Sequence, residues 1–214
     1  MNRRDVCELH YICHVSNVSS ILRLGILSHN AIRLRRIPHE SVALADVQGR
    51  RACKCVGNGR RLHDHANLYF HARNPMMYFL KDRHAELAVL RLSPEVLDIP
   101  ESVISDSNAA RGDVRVHASP QGLGALDRNL VYARSWVYPG DIARQQWHKG
   151  VKCAEVLVPQ CVCPNYIVGA HVSCRQAVDR IRAMDADLSV SVSPDLFFRI
   201  GGDEPWSRSY RAAC

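Results

Sequence analysis

The chain has 214 residues and a mass of 24.0 kDa, enough to bury a full core and short enough to read as one domain. Its 47% hydrophobic and 23% charged residues are a globular composition, with no apolar run near the roughly 18 residues of a membrane span and no apolar stretch of a secretory signal behind Arg3 and Arg4. A cytoplasmic protein with no membrane partner is therefore expected, and because Lys54, Lys81, Lys149 and Lys152 are its only lysines, the excess of 28 cations over 21 anions is mostly arginine, whose planar fork of donors suits phosphate.

In chain order, residues 10–15 have the Tyr, Ile and Val content of a strand, and Asn17 stands where it would cap a helix over 18–24 that Gly25 stops. Residues 28–61 are rich in arginine (Arg33, Arg35, Arg36, Arg50, Arg51, Arg60, Arg61) and poor in periodicity. They read as a long, partly irregular segment of the kind that often carries function, closed by a Gly57-Asn58-Gly59 turn. Leu68-Tyr69-Phe70 predicts a strand, and Asn74-Pro75 supplies a cap and a first-turn proline for a short helix over 76–80. Residues 87–92 are the clearest buried strand, followed by a single helical turn at Ser93-Pro94. Val103-Ile104 is a short strand, 111–125 a loop and 127–133 a helix. Strands are expected over 152–158 and 167–172, and Ser173 should cap a helix that puts Ala177, Val178, Ile181 and Met184 on one face. Residues 188–192 and 196–200 alternate as a terminal strand pair, and 201–214 lack pattern, which divides the chain into one domain over 1–200 and a flexible tail. Strands mixed with short helices, without the regular alternation of doubly wound folds, make an α+β class. No Gly-x-Gly-x-x-Gly motif and no phosphate loop is present.

Chemistry concentrates in three places. The block 62–76 gathers His63, His65, His71, Tyr69, Phe70 and Arg73 within fifteen residues. Glu155 interrupts the apolar run Ala154 to Val158; by local pattern it is the solvent-facing position of an alternating strand, and in a cleft it would be a functional carboxylate. Arg51 lies in the basic segment, where a fixed guanidinium would hold a diphosphate, although its local sequence does not separate it from Arg33 or Arg60. Nine cysteines without a secretory signal suggest reduced thiols or metal ligands, and Cys53-Lys54-Cys55 with Cys161-Val162-Cys163 offers four thiolates at a spacing shorter than structural zinc sites usually use.

Taken jointly, the order His14-Val15-Ser16-Asn17-Val18, Gly49-Arg50-Arg51, Leu62-His63-Asp64, Tyr69-Phe70, Asn74-Pro75-Met76, Ser105-Asp106-Ser107-Asn108-Ala109, Cys153-Ala154-Glu155-Val156-Leu157 and Phe197-Phe198 resembles the DarT-type DNA ADP-ribosyltransferases, over about 190 residues. The resemblance implies an ADP-ribosyltransferase-like split mixed β-sheet with short flanking helices and an NAD cleft between its halves. It implies transfer of ADP-ribose from NAD, a co-substrate, to a base in single-stranded DNA. It further implies the toxin role of a toxin–antitoxin or phage-defence pair, a cognate antitoxin that removes ADP-ribose, a monomer, and no metal.

On the same footing Glu155 is the catalytic glutamate, which orients the ribose and stabilises charge at its anomeric carbon, and Arg51 the second catalytic residue, acting through its charge more than as a base. NAD contacts are expected from Cys13, His14, Val15, Ile21, His29 and Arg51, with residues 34–54 closing over the ligand. DNA contacts are expected from Tyr69, Arg73, Asn74 and Asn108, and from Arg144, Trp147, His148, Lys149 and Lys152 in a loop over 113–152. Two positions depart from the family: Asn108 stands where thymine-modifying members often carry histidine, which favours guanine as the target, and His65 stands where an aromatic often follows His63-Asp64. The same fold acting on RNA or protein is the neighbouring alternative. A zinc-stabilised nucleic-acid-binding module without catalysis is the alternative of a different class. Replacing Glu155 by Ala is expected to remove transfer with folding largely intact.

Overall fold

The computed structural model describes residues 1–56, 59–184 and 187–199. The expected tail over 201–214 and the first two residues of the Gly57-Asn58-Gly59 turn lie outside them. Among the described residues, the strands are β1 (Leu9–His14), β2 (Ile26–Leu27), β3 (His65–Tyr69), β4 (Leu87–Leu92), β5 (Val103–Ser105), β6 (Val116–Ala118), β7 (Glu155–Pro159), β8 (Cys161–Val162), β9 (Ile167–Val172) and β10 (Val190–Val192). The helices are α1 (Val18–Leu24), α2 (His29–Leu34), α3 (Ala45–Ala52), α4 (Pro75–Phe79), α5 (Arg128–Val131), α6 (Ile142–Val151) and α7 (Arg175–Arg182).

Eight strands form one sheet in the order β10-β9-β4-β1-β3-β7-β5-β6, and β2 pairs with β8 apart from it. All pairings are antiparallel except β9 with β10, so the sheet is mixed. Its halves barely touch. β1 meets β4 over the six residues Leu9 to His14, yet meets β3 only through His10 and Tyr69. This is the split the sequence resemblance implied, and it opens a cleft between β1 and β3.

β4 explains why the sheet has a core on each face. Leu87, Ala88, Val89, Leu90 and Leu92 are all wholly buried, and alternation sends successive side chains to opposite sides. Ala88, Leu90 and Leu92 join Leu9, Cys13 and Val172 beneath Val18 of α1 and Ala177, Val178 and Ile181 of α7. Leu87 and Val89 join Ile12, Tyr69, Met77, Leu80 and Phe197 on the other face, where the cleft lies. Gly25, at φ 83, turns the chain from α1 into β2, and a Cβ there would stand 2.4 Å from the Val162 carbonyl.

Several expectations are corrected. Asn17 makes no cap bond to α1; its amide instead donates to the Glu40 carbonyl at 2.8 Å and its Oδ1 accepts from the Glu40 N–H at 2.9 Å, pinning the segment that follows α2. Ser173 does not cap α7, whose first flanking residue is Cys174; the Ser173 hydroxyl donates to the His84 carbonyl at 3.0 Å. Residues 194–197 form a 3-10 turn rather than a strand, and β10 pairs with β9. The supposed loop over 111–125 contains β6, which pairs with β5. The supposed loop over 113–152 contains α6, capped by the Asp141 carboxylate accepting from Arg144 N at 2.9 Å. Only His148, Gly150 and Val151 of α6 are buried, so its sequence carries no amphipathic stripe. The strand expected from 152 therefore begins at Glu155.

Candidate active site

Glu155 opens β7, opposite Ser105 of β5 on one side and Tyr69 of β3 on the other. Its side chain is fully buried rather than solvent-facing. A carboxylate in that position is stable only with donors around it. Arg51 supplies them from the last turn of α3: its Nη1 donates to Oε1 at 3.1 Å and to Oε2 at 3.0 Å. The Ala109 N–H donates to Oε1 at 3.0 Å. Glu155's own N–H donates to the Ser105 hydroxyl at 3.1 Å, and that hydroxyl donates to the Ser107 carbonyl at 2.7 Å. Oε1 thus has two partners and Oε2 one, so Oε2 is the oxygen that a rotation of Arg51 frees.

Beside this pair lies a cavity of about 410 Å³, within the range of small-molecule sites. β1 contributes Tyr11, Ile12 and Cys13; β3 contributes His65, Asn67 and Tyr69; α3 contributes Val47, Gln48, Arg50 and Arg51; α4 contributes Pro75, Met76 and Phe79. The segment held by Asn17 covers it with His39, Glu40, Ser41 and Val42. His29 and His63 stack at 4.2 Å within its wall, and His63 Nε2 bonds Gln48 Oε1 at 3.0 Å. Burial lowers the pKa of both, and the proximity of His39 to His29 and of His29 and Arg51 to His63 adds to it, which favours uncharged imidazoles. His65 Nδ1 lies 2.9 Å from the Arg61 carbonyl and so carries the proton, leaving Nε2 a buried acceptor with no partner. Burial raises the Cys13 and Cys153 thiols to about 12, so neither is a thiolate nucleophile at neutral pH.

The residues singled out in the sequence divide by position. Cys13, His29, Arg51, Tyr69, Asn108 and Lys149 line the cavity. Glu155 lies directly behind Arg51. His14 instead bonds the Ser16 hydroxyl at 2.7 Å, Val15 is core, and Ile21 packs against the core from α1. Arg144 and Trp147 stand exposed on α6, the Arg144 guanidinium 4.3 Å from the Tyr138 ring.

Four expected DNA contacts are buried and engaged inside the protein. Asn74 caps α4, its Oδ1 accepting from Met77 N at 3.1 Å and its amide donating to the His71 carbonyl at 3.1 Å. Arg73 donates to the carbonyls of Arg134 and Asp195 and lies 4.1 Å over the Phe198 ring. His148 bonds the Tyr138 hydroxyl at 2.8 Å and the Leu130 carbonyl at 2.9 Å. Lys152 donates to the Val131 carbonyl at 2.7 Å and meets His71 Nδ1 at 3.2 Å. A polar residue type in a basic segment does not reveal whether the fold will turn it inward; here the carbonyls of Leu130, Val131 and Arg134 take donors from His148, Lys152 and Arg73, and Asn74 serves the start of α4.

Lys152 yields a test. Burial lowers its pKa from 10.5 to about 7, so between those values the unfolded chain holds a proton that the folded one has released. Stability should rise with pH in that window, by at most about 1.4 kcal/mol per unit. Denaturant titrations at pH 7, 8 and 9 should show this rise in the wild type and lose it in Lys152→Met; equal slopes in both would contradict it.

The Cys-x-Cys thiols do not assemble. Among the described residues, the group with metal-ligand spacing is Glu8, His10 and His171. There His10 Nδ1 accepts the Ala72 N–H at 2.9 Å, so Nε2 carries the proton it donates to Glu8 at 2.8 Å, and Arg91 donates to the same carboxylate at 2.7 Å. This is a charge-assisted network rather than a set of free lone pairs. Cys7 is disulfide-bonded, which a reading of wholly reduced or metal-bound thiols did not anticipate.

A split mixed sheet with a buried arginine–glutamate pair beside its cleft is the arrangement that the resemblance to ADP-ribosyltransferases implied. The same architecture occurs in Thermosipho africanus DarTG in complex with ADP-ribose, at a TM-score of 0.77 and 29% identity over 90% of this chain and 51% of that one. It also occurs in Thermus sp. 2.9 DarT in complex with ADP-ribosylated single-stranded DNA, at 0.76 and 22% over 92% and 99%. The family described as "ssDNA thymidine ADP-ribosyltransferase, DarT" matches residues 10–198, and the chain belongs to it. A DNA ADP-ribosyl transferase–DNA ADP-ribosyl glycohydrolase fusion protein of Thermosipho africanus is 30% identical over 194 residues, which are 89% of this chain and 49% of the relative. The chain therefore spans about half the length of that relative. No described helix is long and apolar enough to cross a membrane.

Proposed function

We propose that the protein transfers ADP-ribose from NAD to a base in single-stranded DNA. The observation that carries this is the Arg51–Glu155 pair, buried beside a cavity lined from both halves of the split sheet. Family membership supports it, as does the binding of NAD and of ADP-ribosylated single-stranded DNA by the Thermus relative.

In the reaction the bond between nicotinamide and the ribose anomeric carbon breaks, nicotinamide leaves with the electron pair, and a base nitrogen or oxygen forms the new bond and loses its proton. Positive charge grows at the anomeric carbon. The Glu155 carboxylate, shielded from water, stabilises that charge more than a solvated anion would and accepts a ribose hydroxyl through Oε2. Arg51 turns from Oε2 toward the diphosphate or the target base, where its charge favours loss of the base proton. Tyr69 stays protonated, its pKa raised by burial and then by Glu155, and so offers a donor rather than a base.

For the target base, the resemblance of the Asn108 position to the guanine-modifying branch favours guanine, and the thymidine of the family description is the alternative. The exposed Arg144, Trp147 and Lys149 are the DNA contacts retained from the α6 region. The glycohydrolase fused in the Thermosipho relative supports a toxin role and a cognate partner that removes ADP-ribose. The test is to incubate the protein with labelled NAD and mixed single-stranded oligonucleotides, beside duplex and RNA. Label on single-stranded DNA, mapped to a base by mass spectrometry, is the expected result. Label on RNA alone would redirect the reading to RNA, and intact NAD with unmodified nucleic acid would overturn it.

A further inference from the structure

Phe79 ends α4 and is 61% exposed, yet its ring also forms part of the cavity wall beside Pro75, Met76 and Leu80. Single exposed apolar residues are ordinary. This one is unusual in joining a ligand cavity to the outer surface, and in its neighbour: Tyr78 is 51% exposed and held upright by edge contacts to Trp136 at 6.0 Å and Phe198 at 5.1 Å. The helix beneath them is fixed. Asn74 caps it, and Met77 and Leu80 bury 0% and 4% exposed side chains under it. Phe79 is thus offered to solvent from a fixed helix beside the cavity, while Tyr78, outside the cavity lining, packs against Trp136 and Phe198.

An occupant confined to the cavity would touch Phe79 and not Tyr78. A strand leaving the cavity on this side would pass the exposed Phe79. We propose that Phe79 stacks on the nucleobase flanking the modified nucleotide. This rests on the reading of single-stranded DNA as the acceptor. Stacking needs no edge recognition, so this ring holds the strand in place and leaves the choice of base to the cavity.

The test combines turnover with a binding measurement that needs no turnover. Phe79→Ala, at an exposed position, should raise the KM for single-stranded DNA between about fivefold and 150-fold, the range that stacking one base corresponds to. Because Phe79 also borders the NAD cavity, any rise in the KM for NAD should stay below the rise for DNA. Phe79→Leu, apolar without a π-face, should behave like Phe79→Ala, and Phe79→Trp should restore wild-type affinity. Fluorescence anisotropy of a labelled oligonucleotide without NAD should give the same ranking. If the wild type transfers no label but the ranking in binding holds, the catalytic reading fails and this one stands. Unchanged DNA affinity in Phe79→Ala, no strand binding by the wild type, a shift confined to the KM for NAD, or full retention by Phe79→Leu would each overturn it.

Discussion

Replacing Glu155 by Gln should lower ADP-ribosyl transfer about a thousandfold, at the upper end of what one preorganised electrostatic group contributes, while the protein stays folded. The amide keeps an acceptor for the Ala109 N–H and for Arg51, both now 3.0–3.1 Å from Oε1; it removes the charge that a cationic transition state requires and sets an NH2 where Oε2 accepts from Arg51, so some stability is lost with the activity. The rate of label transfer from NAD to single-stranded DNA, with circular dichroism as the folding control, checks it. A Gln variant within tenfold of wild type would remove Glu155 from the catalytic role. The structure also revises which variant to use. Glu155→Ala was expected to leave folding largely intact, but it would leave the Arg51 guanidinium, 6% exposed, and the Ala109 N–H with no acceptor as well as no counter-charge, a larger loss than the amide causes. Lost activity in that variant would mix lost chemistry with lost stability.

Replacing Arg51 by Ala should fail on both counts. It leaves a carboxylate with no exposed surface facing one backbone N–H alone, a change that costs about 3–5 kcal/mol in buried pairs. In a domain of this size each kcal/mol moves the melting temperature by about 2–4 °C, so a fall of roughly 6–20 °C is expected together with loss of transfer. Arg51→Lys should recover part of the stability, because one cation near the carboxylate still neutralises the site, and little of the activity, because an ammonium lacks the further guanidinium nitrogens that would reach the diphosphate or base. Thermal melts of the three proteins separate these effects. An Arg51→Ala protein with wild-type melting temperature would mean that Glu155 finds another partner or takes up a proton.

These two variants also mark where sequence and fold divide the information. The apolar run at 87–92, the Asn74-Pro75 helix start and the Gly25 stop were legible because each depends on local chemistry: burial on both faces of a strand, a capping side chain, a positive φ. The helix α6 was not legible, because only three of its ten residues face inward and it shows no period. The site residues were recognised through ordered resemblance, since Arg51 alone looks like any surface arginine and Glu155 alone like a strand's outward position. Their bond spans 104 positions of sequence and exists only because β7 lies between β3 and β5 while α3 packs over that face.

The block at 62–76 shows the same division at finer grain. Its composition pointed to a ligand site, and the cavity does take His63, His65 and Tyr69 from it. Within the block, however, Arg73 and Asn74 turn inward to serve backbone groups, while Phe79, just beyond it, faces the cavity mouth. By itself the sequence determined the secondary-structure signals, the excess of arginine and the family. Tertiary structure decided which polar groups are spent on the protein's own carbonyls and which remain for a ligand, because that allocation depends on what each side chain meets across the sheet, and no neighbour in sequence reports it.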